Sequence, residues 1–212
     1  LQAVKLDQDG RETEEVLDLA NLQAALLESR RVVLEAPAGR GKTTTLVHLA
    51  ERFRTQDAIA FLVDLPAWIT SHSEILEFIA SMPQFRSRGM HSGDLAQLYE
   101  TVPCSFLLNG WNEVSESYSE VAVQMLANLE RHFPKAGIIV ATRTDHIRPP
   151  LPGSFRAKLL TLSRRQRAEY LQQTLASRTD ELGVQLDNDR VLDDLTRTPL
   201  ILAEVVSIFL AG

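Results

Sequence analysis

Apolar residues follow two spacings along this chain. Residues 14–30 carry Val16, Leu19, Leu22 and Leu26 three to four positions apart, which predicts an amphipathic helix. Residues 31–34, Arg-Val-Val-Leu, form a short β-rich run, and residues 43–53 return to helical spacing through Leu46, Val47, Ala50 and Phe53. Four more compact apolar runs, at 58–65, 104–108, 137–142 and 156–162, read as buried strands. Helical patterns at 74–81, 94–100 and 119–133 separate most of them. Strands alternating with helices predict an α/β fold whose parallel strands are apolar throughout because both faces are covered.

Beyond Leu162 the pattern is helical only. Ser163-Arg164-Arg165-Gln166 has the form of a capping box opening a helix through Tyr170 and Leu171. Thr198–Pro199 opens the last helix, with threonine at the N-cap and proline at the first helical position. Residues 149–153, Pro-Pro-Leu-Pro-Gly, read as a stiff loop. We therefore expect a leading helical segment at 1–30, an α/β core at 31–162 and the start of a small helical subdomain at 163–212.

Composition adds limits. The 212 residues are 44% hydrophobic and 24% charged, the balance of a globular fold with a real core. A net charge of −6 argues against a dominant electrostatic grip on nucleic acid or anionic membrane. No apolar run reaches transmembrane length. A single cysteine, Cys104, leaves no internal disulfide and fits a reducing cytoplasm. The chain opens on Leu1 and closes within the apolar stretch 200–210, so we expect a piece excised from a larger protein.

Chemistry concentrates after the first predicted strand. Ala36-Pro37-Ala38-Gly39-Arg40-Gly41-Lys42-Thr43 matches the phosphate-binding pattern G-x-x-x-x-G-K-[ST], with alanine at the first glycine position. Glycines at 39 and 41 let the backbone fold so that the N–H groups from Ala38, Gly39 and Arg40 through Gly41 to Thr44 converge on phosphate oxygens. The following helix adds its positive end. Lys42 is expected to reach the β- and γ-phosphates, and the Thr43 hydroxyl to ligate Mg²⁺. Strand, loop and helix together predict a P-loop NTPase of three α/β/α layers around a mainly parallel five-stranded sheet, binding ATP or ADP.

Such a site needs acidic groups at the end of a second strand. The candidate is Phe106-Leu107-Leu108-Asn109-Gly110-Trp111-Asn112-Glu113. Its leading position is Asn109, whose amide oxygen can ligate Mg²⁺ but carries no charge, which weakens metal affinity and transition-state electrostatics. Asn112 is also neutral, leaving Glu113 to orient or deprotonate water. The competing reading makes Asn109–Gly110 a turn. Asp64, ending the run at 58–64, is a rival metal partner, and Asn109 is preferred to it. The run 138–142 ends at Arg143, placed to sense the γ-phosphate from a strand's carboxyl end.

Other residues read more plainly. His48, His72, His91, His132 and His146 lack metal-ligand spacing. Cys104, Trp68 and Trp111 read as packed. Arg164-Arg165-Gln166-Arg167 reads as a solvated helix face rather than the basic lid of a kinase.

In this order the motifs resemble the NACHT branch of the STAND signalling NTPases, relatives of AAA+ ATPases, over about residues 14–210. The family's Asp-Gly-x-Asp-Glu corresponds to Asn109-Gly110-Trp111-Asn112-Glu113, and its Thr-Ser-Arg to Ala141-Thr142-Arg143. Its Leu-x-x-Leu-Ser-x-x-Gln-Arg-x-x-Tyr-Leu matches Leu159 to Leu171, and its Pro-Leu matches Pro199-Leu200. The resemblance implies that Pro199 lies against the adenine. It also implies a switch in which ADP holds a closed form and ATP exchange opens it. The opened domains then self-associate, with effector and sensor domains lying outside these residues. Asn109 departs from the family's aspartate, so the resemblance implies binding more strongly than hydrolysis. Two other functions fit the motifs less well, an active AAA+-like motor or loader and a P-loop small-molecule kinase.

Overall fold

The computed structural model describes residues 2–144, 147–175 and 178–211. The chain starts with an antiparallel hairpin, β1 (Ala3–Leu6) and β2 (Glu12–Leu17), followed by α1 (Leu19–Ser29). The helix expected from residue 14 therefore begins five residues later. Asp18 is the reason: it accepts from the Asn21 amide at 2.8 Å while the Asn21 side chain accepts from its own amide at 3.1 Å. That reciprocal cap starts the helix at Leu19 and frees the preceding residues to pair with β1. Val16, counted in the helical stripe, is an exposed strand residue. The leading 30 residues are thus a hairpin plus a helix rather than helix alone.

Next come β3 (Arg31–Glu35), α2 (Lys42–Arg54), β4 (Ile59–Asp64), α3 (Leu65–Ser71), α4 (Ile75–Ser81), the short α5 (Pro83–Arg86) and α6 (Ser92–Thr101). Then follow β5 (Cys104–Asn109), two 3₁₀ turns at Trp111–Glu113 and Glu116–Tyr118, α7 (Ser119–His132), β6 (Gly137–Thr142) and β7 (Phe155–Leu159). The sheet order is β2-β1-β7-β3-β6-β5-β4. The five strands read from the sequence, β3 to β7, are all parallel where they pair. The count rises to seven because the hairpin adds β1 antiparallel to β7. The predicted α/β class holds with that wider sheet.

Apolar runs that look continuous in sequence divide between two faces. Phe106, Leu108, Ile138 and Val140 pack with Trp68, Ile79, Leu95 and Leu126 of α3, α4, α6 and α7. Leu107, Ile139, Leu34 and Val32 pack with Leu22 and Leu26 of α1 and with Leu46, Leu49 and Phe53 of α2. Period-two alternation across a doubly covered sheet produces the three layers. Cys104 and both tryptophans are buried.

Four helices end the described chain: α8 (Arg164–Leu175), α9 (Thr179–Asn188), α10 (Arg190–Leu195) and α11 (Pro199–Ala211). Their core is separate, built from Leu171, Leu175, Leu182, Leu186, Leu202 and Val206. The box opening α8 forms as read: the Gln166 amide donates to Ser163 Oγ at 3.2 Å, and Gln166 Oε1 accepts from the Ser163 amide at 2.9 Å. Arg167 is a correction. It is 4% exposed and paired with Asp193, so the arginine run is not solvated throughout. Among the described residues no helix is long and apolar enough to cross a membrane.

Candidate functional site

β3 is central, between β7 and β6, and its carboxyl end opens into residues 36–41. Gly39 (φ +73°) and Gly41 (φ +86°) take left-handed backbone, which turns the loop back to start α2. No positive φ is needed at Ala36, which is buried and donates its amide to Thr142 O at 3.1 Å. That accounts for alanine at a position where the motif carries glycine. Gly41 caps α2 without a side chain, so the first amides of a 13-residue helix face the loop's concavity. Lys42 Nζ reaches back to donate to Ala36 O at 3.1 Å and Pro37 O at 3.3 Å.

The carboxyl ends of β5 and β6 meet this loop. Asn109 Nδ2 donates to Thr43 Oγ1 at 3.3 Å, joining the two residues expected to share a metal. Asp64 lies opposite Asn109 in register, but its carboxylate accepts from the Ala67 amide at 2.9 Å and caps α3. Between the two rival positions, Asn109 is the one that touches the loop. Beyond it, Gly110 (φ +94°) starts the turn that carries Glu113, whose Oε2 lies 3.2 Å from where a Gly110 side chain would begin. Trp111 is anchored there, its indole donating to Ile147 O at 2.8 Å.

One cavity of about 770 Å³ is lined by Ala38, Gly39, Arg40, Gly41, Lys42, Thr43, Thr44, Asn109, Glu113, Arg143 and Pro199. Every candidate site residue read from the sequence lines it. The far wall comes from the helical unit: Gln166, Glu169, Tyr170 and Gln173 of α8, with Leu200, Leu202 and Ala203 of α11. Leu19, His48 and Leu162 complete it. Gln166, Tyr170 and Leu200 belong to the motifs read above, whereas Glu169 and Gln173 belong to none, yet 166, 169, 170 and 173 share one helical face once Ser163 sets the register. The Leu200 amide donates to Gly39 O at 3.3 Å, so α11 starts directly on the loop.

Glu35 was not singled out in the sequence. It is buried at the end of β3, accepting at Oε1 from Arg156 Nη2 at 2.6 Å and Nε at 3.0 Å. This pair ties the strand beneath the loop to β7. Burial pushes the Cys104 thiol up to about 11, as befits a packed group. Among the four described histidines only His48 lines this cavity, and His146 lies outside the described residues.

The cavity can receive an anion with several phosphates, because the amino end of α2, Lys42 and Arg143 line it together. Thr43 and Asn109 offer only neutral oxygens, and a Mg²⁺ ion favours charged oxygen ligands. They fit a metal that arrives with phosphates supplying the charge better than one held by protein alone.

Strand order and loop together are those of the P-loop NTPase fold. No family model and no curated protein matches the chain. Among solved structures it is similar to a DNA replication initiation factor, with 15% identity over 90% of this chain and 59% of that one, at a TM-score of 0.56. It is also similar to AMPPCP-bound DnaA from Aquifex aeolicus, with 15% identity over 90% and 60% at a TM-score of 0.54. A variant of Thermotoga maritima RuvB shows 16% identity over 89% and 59% at 0.51. The chain thus spans about three-fifths of each of these structures. What they share with it is the P-loop NTPase fold.

Proposed function

We propose that this chain is the nucleotide-binding switch domain of a NACHT-type STAND signalling protein of the cytoplasm, holding ATP or ADP with Mg²⁺. The observation that carries the proposal is the cavity itself, a phosphate loop covered by α8 and the start of α11. Ala38 to Thr44 bind phosphates, Thr43 and Asn109 approach the metal, Arg143 reads the γ-phosphate and Pro199 meets the base. Residues 163–212 act as the helical subdomain that closes over the nucleotide. Exchange of ADP for ATP opens the domain and drives self-association in the full-length protein, while effector and sensor parts lie elsewhere.

Hydrolysis is slow in this reading. Asn109 brings a neutral amide to Thr43 where a carboxylate would strengthen the metal, and Glu113 alone remains to orient water. The test is the identity of nucleotide released from purified protein, with steady-state turnover of wild type and Asn109→Asp. ADP in the released fraction and a rise of about tenfold or more on substitution support the switch. Fast wild-type turnover favours the AAA+-like motor, and an unchanged rate in Asn109→Asp refutes this account of the defect.

A further inference from the structure

A buried charge cluster lies inside the helical unit, outside the lining of the nucleotide-sized cavity described above. Arg167 on α8 is 4% exposed, and Asp193 on α10 is 9% exposed. Arg167 Nη2 donates to Asp193 Oδ1, and Nη1 donates to Asp193 O at 2.9 Å and to Thr196 Oγ1 at 2.8 Å. Arg197 joins through Nη2, 2.9 Å from Asp193 Oδ2. Thr196 is wholly buried and donates its hydroxyl to Leu192 O at 2.6 Å. Arg167 Nε is buried without a partner among the described residues.

From this cluster the chain runs straight to the phosphate loop. Arg197 O accepts from the Leu162 amide at 2.8 Å, and the Thr198 amide donates to Leu195 O at 3.1 Å. Two residues on, Leu200 donates to Gly39 O. A side chain starting at Gly39 would meet Thr198 and Leu200 at 3.3 Å. Buried ion pairs are weak sources of stability, and an apolar pair of similar volume packs as well or better. The unsatisfied Nε sharpens that point. An apolar pair cannot supply donors to Asp193 O and Thr196 Oγ1, the groups that set the turn between α10 and α11.

We propose that Arg167 and Asp193 are positioning residues, forming a latch that holds residues 198–200 against Gly39 and thereby sets how fast a bound nucleotide leaves. The second clause rests on the nucleotide reading above, and the first needs no ligand. Conservation of charge alone does not suffice for it: the guanidinium's fork addresses a backbone carbonyl and a hydroxyl at once.

The test compares wild type with Arg167→Met and Thr196→Val by hydrogen exchange of the ligand-free protein. Expected is exchange about tenfold faster over 196–203 and 37–41 in Arg167→Met, and severalfold faster in Thr196→Val, with 104–109 and 137–142 at wild-type rates. Thr196→Val removes one hydroxyl, the acceptor for Arg167 and a donor to Leu192 O, leaves the Arg167–Asp193 pair in place, and decides the matter if Arg167→Met does not fold. Unchanged exchange at 196–203, or a rise shared by the central strands, overturns the latch. Release of fluorescent mant-ADP, followed by stopped flow, is expected to rise in step, about fivefold or more. A wild-type release rate despite selective loosening overturns the gating clause. If wild type takes up no mant-ADP while the exchange pattern appears, the nucleotide reading fails and the latch stands.

Discussion

Gly39 combines left-handed backbone with close contact from Thr198 and Leu200, whereas Gly89, at φ +67°, has open space where a side chain would begin. Gly39→Ala and Gly89→Ala should both lose about 1–2 kcal/mol to backbone strain. Urea unfolding should show a further loss for Gly39→Ala alone, because its new methyl pushes on α11. Lys42→Ala should abolish detectable nucleotide binding in calorimetry, since it removes the ammonium that reaches back over residues 36–37 into the loop. The loop was legible in sequence because its residues are contiguous and each type has a backbone reason. Asn109 and Arg143 were legible because they end apolar runs that became parallel strands. Glu169 and Gln173 were not, and the place of Gln166 and Tyr170 in the cavity wall was not either, for that comes from how α8 folds back over the cavity.

Among the elements, α1 depends on the reciprocal cap of Asp18 and Asn21 for its start. Asp18→Ala should cost about 1 kcal/mol, seen as a lower thermal midpoint with unchanged nucleotide binding. The same residue explains a misread boundary: three-to-four spacing runs through Val16, and only the cap separates strand from helix. β1 has four residues, too few for alternation to stand out. The helix α3 begins at Leu65–Pro66 and stayed hidden because Pro66 looks like a breaker, yet proline in a first turn loses no helical hydrogen bond. The short α10 has only six residues, too few to hold a helix alone, so packing against α9 rather than propensity sustains it. Long, doubly covered strands were read well because burial on both faces leaves an unbroken apolar signal.

For the whole molecule, acid should loosen the helical unit. A hydrogen bond from Arg197, and then one from Arg167, hold the Asp193 carboxyl below the ordinary carboxylate range. Folding therefore favours its charged form, so its contribution is complete above about pH 4 and is lost as pH falls through the lower folded value. Thermal melts should show Asp193→Asn less stable than wild type at pH 7, with the gap narrowing below about pH 4. Between pH 5 and 8 this group should add no slope. The lone cysteine has a practical consequence for watching such movements. Cys104 is buried and its thiol stays protonated near neutrality, so the wild-type chain is nearly blank to maleimide dyes. A cysteine introduced at exposed Val191 on α10 and another at exposed Val47 on α2 would accept a fluorophore pair without removing any native residue of the core. The folded protein thus serves as its own background for a distance measurement between the sheet layer and the helices that cover its loop.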